Sequence, residues 1–149
     1  MKRIPSTPLL VASALALGVS LQACASHPSG PYVKLGDHVY TIEVASDDAS
    51  RAHGLMERPK MDADHGMLFV FDDDAPRVFW MKNTLIPLDM LFFDADNKLV
   101  SIQHDVQPCV ADPCPGYSSG APARYVLELN AGEAKKLGLT SGDPIEIHR

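Results

Sequence analysis

Apolar and polar positions divide the chain into short runs, most with the two-residue period of strands. Tyr32-Val33-Lys34-Leu35 is followed by a Gly36-Asp37 pair and then by residues 38–44. In that second run Tyr40, Ile42 and Val44 alternate with Val39, Thr41 and Glu43. This predicts a half-buried strand, and the glycine-aspartate pair predicts a hairpin. Gly66-Met67-Leu68-Phe69-Val70-Phe71 is apolar almost throughout, as a strand covered on both faces must be. Asp72-Asp73-Asp74-Ala75-Pro76 reads as the turn that ends it. The next stretch, residues 77–94, holds the only Trp, three of the five Phe and two of the six Met. Its apolar flanks predict two strands, and a polar patch of Lys82, Asn83, Thr84 and Asp89 marks the corner between them. Residues 99–104, 124–129 and 144–147 supply further strands.

Two segments carry helix signals instead. Ser46 precedes Asp47 and Asp48, a capping hydroxyl followed by acids at the positive end of a helix dipole. Ala49, Ala52, Leu55 and Met56 share one face of that helix, and Pro59 stops it. Asn130 and Glu133 have the spacing of a capping box ahead of a short helix that Gly138 closes. The expected fold is α+β and β-rich: a compact, partly closed β-barrel or strongly curved sheet of seven or eight short strands with two short helices.

Residues 1–23 read as an address rather than as structure. Lys2 and Arg3 precede an apolar run from Leu9 to Leu21, too short and wrongly flanked for a membrane span. The run ends in Leu21-Gln22-Ala23-Cys24, which resembles the lipobox of bacterial lipoproteins. That resemblance implies cleavage before Cys24 and a lipid anchor on its sulfur. An ordinary secretory signal is the alternative. Residues 24–31 then form a tether, and residues 32–149 a single globular domain. With Ala25 after the cysteine, the expected location is the cell envelope, on the periplasmic face of the outer membrane in a diderm host.

Charge and cysteine count narrow the function classes. The 13 basic residues less Lys2 and Arg3 leave 11 against 19 acidic ones, a net charge of −8 for the processed chain. Nucleic acid is therefore not an expected partner. With Cys24 lipidated, Cys109 and Cys114 remain in a proline-rich loop, where an oxidising compartment favours a disulfide. Asp94-Ala95-Asp96-Asn97-Lys98 opens like a calcium loop but has Leu99 where glycine is required, so it reads as a turn. The histidines lack the spacing of a metal site, and the methionines fall mostly in apolar runs. No metal or cofactor is expected.

Gly54-Leu55-Met56, Gly66-Met67-Leu68-Phe69-Val70-Phe71, Phe79-Trp80-Met81-Lys82-Asn83-Thr84, Ile86-Pro87-Leu88-Asp89, Tyr125-Val126-Leu127-Glu128 and Gly142-Asp143 closely resemble domain-of-unknown-function family 192. The resemblance spans roughly residues 38 to 147. It implies a small, often exported prokaryotic protein and supplies no activity. Separately, the pattern from Asn130 through Gly138, Gly142 and Ile145 resembles the closing unit of cradle-type barrels, an expectation about fold alone.

The candidate binding site is the corner formed by Trp80, Lys82, Asn83 and Asp89. Trp80 and Lys82 share strand parity, and an aromatic platform beside amide and carboxylate groups suits a sugar or a peptide. Three functions follow. One is a lipid-anchored binding or assembly module of the cell envelope. A second is a hydrolase or lyase using Asp89 with Lys82 or His104, which requires a deep pocket and a perturbed carboxylate. A third is an interaction module that contacts another envelope protein. The four residues also have a purely structural reading: Asn83 and Asp89 bond the backbone of the corner, Lys82 pairs with Asp89, and Trp80 packs into the core. A cleft around Trp80 favours the first function. A sealed Trp80 with an apolar patch elsewhere favours the third.

Overall fold

The computed structural model describes residues 28–149. Residues 1–23, read as a signal segment, Cys24, the expected acylation site, and the start of the expected tether lie outside the described residues. Seven strands form one mixed sheet, β1 (Tyr32–Leu35), β2 (His38–Ala45), β3 (His65–Phe79), β4 (Leu88–Phe93), β5 (Leu99–Val106), β6 (Tyr117–Asn130) and β7 (Glu146–His148). Two short helices complete it, α1 (Asp48–His53) and α2 (Glu133–Leu137). The strand order is β5-β4-β6-β3-β2-β1-β7, with β2 and β3 parallel and every other pair antiparallel. The sheet curls into a half-barrel. Its two edges are drawn together by one segment: Asp143 and Asn97 exchange backbone bonds with Leu99 and Ile145 beside β5, and the chain then runs into β7 at the opposite edge. Among the described residues, no helix is long and apolar enough to cross a membrane.

The hairpin forms as its sequence predicts. Leu35 pairs with His38, and Gly36 takes the left-handed φ of 58° that a two-residue turn demands. The sheet is packed on both faces. Leu68, Leu91, Phe93, Leu127 and Leu129 point to one core with Ala134 of α2, whereas Met67, Phe69, Met90, Phe92 and Val126 point to a second with Leu55 and Met81. All six residues of β4 are buried, since its alternate side chains serve the two cores in turn. At about 1.5–3 kcal/mol for each fully buried large apolar side chain, β4 and the middle of β6 dominate the stability of the sheet.

The structure departs from the sequence expectations at four places. Asp72 to Pro76 is not a turn. β3 runs through it as a single 15-residue strand, bent by register shifts between Val70 and Ala75 and between Pro76 and Val78. β6 bends alongside it and therefore starts at Tyr117, not near Arg124. The acids stay solvated and pair with bases across the bend, Asp73 with Arg77 and Asp74 with Arg124. The α1 cap is Asp47, which accepts from the amides of Ala49 and Ser50, and Gly54 ends the helix five residues before Pro59. Asn130 does not cap α2: Gly132 occupies that position, and the Asn130 amide instead donates to the carbonyls of Met61 and Asp62.

The fourth departure concerns the corner itself. β3 and β4 are consecutive in sequence yet not neighbours, because β6 lies between them. Residues 80–87 are thus a crossing segment rather than a hairpin. Stepping over one strand means covering about 10 Å at the usual strand spacing, more than a two-residue turn reaches. The polar patch sits on this bridge.

Candidate functional site

The crossing segment is held from both sides. The Asn83 carbonyl accepts from the Glu57 amide at 2.8 Å, and Met56 and Thr84 form a β-bridge, which fixes the segment to the loop after α1. On the other side Lys82 bridges to Cys109, whose amide donates to the Met81 carbonyl. Cys109 and Cys114 are disulfide-bonded, so a stiffened loop backs the corner. Asn83 has a φ of 55°, a left-handed conformation that asparagine tolerates better than other side-chain-bearing residues.

Three of the four sequence-chosen residues come together. Trp80 is 53% exposed rather than packed in the core, and the Lys82 ammonium lies 5.6 Å from its ring centroid. That ammonium pairs with Asp112 of the disulfide loop at 3.1 Å, so the expected Lys82–Asp89 pair does not form. Asn83 is exposed beside them, and its amide lies 4.0 Å from the Met56 sulfur. A hollow of about 100 Å³ separates Lys82 and Asn83 from the disulfide loop.

Asp89 stands apart. It is fully buried on the other face of the sheet, where one carboxylate oxygen accepts from the Asp105 amide and the other from the Ala134 amide, both at 2.8 Å. Asp105 has a φ of 48° and lies in a register shift of β5, so its amide has no ladder partner opposite Asp89. Ala134 is in the first turn of α2, whose amides lack a side-chain cap of their own. Asp89 therefore accepts from two orphan backbone donors and is scaffold, although those donors lie in β5 and α2 and not in the corner to which the structural reading assigned them. His104 is exposed on β5.

The residue that the sequence reading did not single out is Glu128. It lies on β6 opposite Met67 of β3 and Met90 of β4, inside the second core, and is 4% exposed. Among the described residues its carboxyl has neither a hydrogen bond nor an ion pair. Burial pushes its pKa up to about 8, so it is mostly protonated at neutral pH. It lines a cavity of about 30 Å³ walled by Leu55, Phe69 and Phe79, with Trp80 and Thr84 also at its boundary. Gly54 lines it too, with a φ of 51°, and a Cβ there would come within 3.2 Å of the Phe69 ring. Arg51, Ala52, Phe79 and Trp80 also line an open groove of about 290 Å³, which joins the cavity to the exposed indole face. One sequence signal pointed here: a single acid on the covered face of the apolar run Val126-Leu127-Glu128-Leu129.

A second polar chain, Arg58–Glu43–His65–Thr41, runs along the outside of β2 and β3. The Arg58 hydrogen bond holds the Glu43 carboxyl down at about 2. Thr41 also donates to the Asp64 carbonyl, so the chain serves to pin residues 58–64 to the sheet. Among the described residues, no group of three or more His, Cys, Asp or Glu is placed to hold a metal ion.

Comparison with known proteins agrees with this architecture. Residues 32–147 match the family described as uncharacterised ACR, domain-of-unknown-function family 192. The chain belongs to family 192. Among solved structures, this family 192 chain is similar to a proposed transcription regulator from Sinorhizobium meliloti 1021, with 41% identity and a TM-score of 0.71 over 78% of this chain and 91% of that one. It is also similar to a protein of unknown function from Novosphingobium aromaticivorans DSM 12444, with 32% identity and a TM-score of 0.71 over 82% and 91% of the two chains. No curated protein matches it.

Proposed function

We propose that this family 192 protein is a lipid-anchored binding module of the cell envelope, whose ligand docks on the Trp80 face of the crossing segment. The observation that carries this reading is a half-exposed indole at the mouth of a groove, beside the Lys82 ammonium and the Asn83 amide. Leaving a large aromatic ring uncovered forgoes burial worth about 1.5–3 kcal/mol, which is consistent with a surface kept for a partner. The ligand is a sugar or a peptide, since either offers an apolar face to an indole and hydrogen-bonding groups to Lys82 and Asn83. Asp89 is not part of this site, and with its carboxylate committed to backbone amides a hydrolase or lyase built on it finds no support. The regulator description of the Sinorhizobium relative is not carried over as nucleic-acid binding, because a chain with a net charge of −6 is repelled by phosphate.

The test is a glycan and peptide binding screen with wild type and Trp80→Ala. The variant should keep its melting temperature, because the ring is half exposed, and lose binding at least tenfold. Unchanged binding by Trp80→Ala refutes the reading. The anchor has its own test: Cys24→Ser should release a folded domain from membranes, and protein that still pellets after a high-salt wash is not held by lipid.

A second reading is favoured by the exposed apolar side chains Val78, Leu85 and Val110, which suit a protein partner. Alanine substitution of Leu85 and Val110, which lie outside the groove, should abolish capture of a protein from envelope extracts if that reading holds, and leave such capture unchanged if it does not.

A further inference from the structure

Glu128 and Thr84 bring two uncommitted polar side chains to one small cavity, whose other walls include Leu55, Phe69, Phe79 and Trp80 as well as Arg51 and His53. Glu128 is 4% exposed and Thr84 5%, and neither side chain has a hydrogen-bond partner among the described residues. No fully enclosed side-chain oxygen is left unpaired there, so these oxygens face the cavity rather than packed protein. A carboxyl in an apolar core without a partner is costly and is not retained for packing. Its opposite number on the other face of the sheet, Asp89, shows what a structural acid looks like in this fold: both oxygens are occupied.

We propose that Glu128 and Thr84 form the polar floor of a subsite for one hydroxyl of an uncharged sugar ring that stacks on Trp80. This rests on the reading of the Trp80 face as a ligand surface and selects the sugar over the peptide. Three features direct that choice. At about 30 Å³ the cavity has room for a group the size of a water molecule or a hydroxyl, not for an amino-acid side chain. The adjoining groove of about 290 Å³, with Phe71, Val78 and Trp80 along it, takes the ring itself against aromatic and aliphatic surface. A protonated carboxyl beside a threonine hydroxyl offers both a donor and an acceptor, the complement of a neutral alcohol, whereas a ligand carboxylate would find the cationic Arg51 of the lining already bonded to Ser46, Val70 and Asp48.

Protonation of Glu128 makes the binding pH-dependent. The strands packed against it contribute only Met67 and Met90 at its side, and Asp89 lies across the sheet. The charged or titratable groups that share the cavity lining are Arg51 and His53. The Arg51 guanidinium is committed to the carbonyls of Ser46 and Val70 and to Asp48. Glutamine reproduces the donor and acceptor of the neutral carboxyl and leaves His53 in place, so a pH dependence that survives Glu128→Gln does not come from Glu128.

The experiment is calorimetric titration of the folded domain with methyl glucoside, and in parallel with an N-acetylated dipeptide amide, from pH 6 to 9.5. Wild type should bind the sugar up to pH 7.5 and weaken by about tenfold by pH 9.5. Glu128→Gln should bind as wild type does at pH 7 and lose that dependence, and Glu128→Leu should bind at least tenfold more weakly than wild type up to pH 7.5. The inference is overturned by a Glu128→Leu variant that binds like wild type, by a Gln variant as weak as the Leu one, by affinity that rises with pH, or by absence of sugar binding. Its failure is distinguishable from that of the wider reading through Trp80→Ala. Binding that depends on Trp80 but not on Glu128, or binding of the peptide alone, sinks the hydroxyl subsite and leaves the corner standing. Binding that depends on Glu128 but not on Trp80 does the reverse.

Discussion

Asp89 and Glu128 are near neighbours on adjacent strands, for Glu128 pairs with Met90, one residue along from Asp89. They point to opposite faces of the sheet, and each face treats its acid differently. On the α2 side the carboxylate of Asp89 joins a bulge in β5 to the first turn of a helix, through two amides that have no other partner. On the other side Glu128 meets Phe69, Phe79 and Leu55 across a cavity and is answered by nothing in the described protein. Burial alone does not distinguish a structural acid from a functional one. What separates them is whether the protein itself has satisfied the group.

The contrast predicts opposite signs under mutation. Asp89→Ala strands the amides of Asp105 and Ala134, and should cost about 2–6 kcal/mol in urea unfolding, at about 1–3 kcal/mol for each orphaned donor. A loss below about 1 kcal/mol would mean that water replaces the carboxylate and that the α2 side is less dry than it looks. Glu128→Leu should do the reverse and raise stability at pH 9 by about 1–3 kcal/mol, because it removes a charge from an apolar enclosure. A destabilised Leu variant would assign Glu128 to the scaffold and erase the comparison.

The pH profile sharpens it further. The folded-state pKa of Glu128 is raised to about 8, against an ordinary glutamate value of 4.5 in the unfolded chain. The folded state therefore holds the proton more tightly. Its contribution is fully present below pH 4.5, falls as the pH rises from there to about 8, and is level beyond. The slope in that window approaches about 1.4 kcal/mol per pH unit. Chemical denaturation of wild type at half-unit steps should show it, and Glu128→Gln should flatten it. The smallest effect belongs to an acid on the surface. Asp112, paired with Lys82 in the open, should cost less than about 0.5 kcal/mol when changed to alanine. A larger loss would give the disulfide loop a part in the core.

Some of this was legible beforehand. The period-two runs, the Gly36-Asp37 turn and the paired cysteines each depend on residues close in sequence, and each is found where the pattern places it. Trp80 and Lys82 were likewise legible as one face, because two residues of like parity are neighbours whichever strand lies beside them. The reading failed where a local signal had a distant competitor. Asn130 has the spacing of a cap, yet its amide reaches Met61 and Asp62 across the fold, while the α2 amide of Ala134 is met by Asp89, 45 residues away in sequence. Asp72 to Asp74 has the composition of a turn, yet Arg77 and Ser119, 42 residues apart in sequence, join across a bent strand pair that carries it straight through.

The sequence by itself determined the class of fold, a polar corner with Trp80 and Lys82 on one face, and the family to which the chain belongs. Periodicity reports which side of a strand is covered, and it says nothing of what covers it. Only the tertiary structure decided that β6 separates β3 from β4, that Asp89 is consumed by two backbone amides, and that Glu128 is left facing a cavity closed by Leu55, Phe69 and Phe79. An acid in an apolar strand looks the same in sequence whether it has partners or not, because those partners come from other parts of the chain. Satisfaction of a buried polar group is a property of the packed whole.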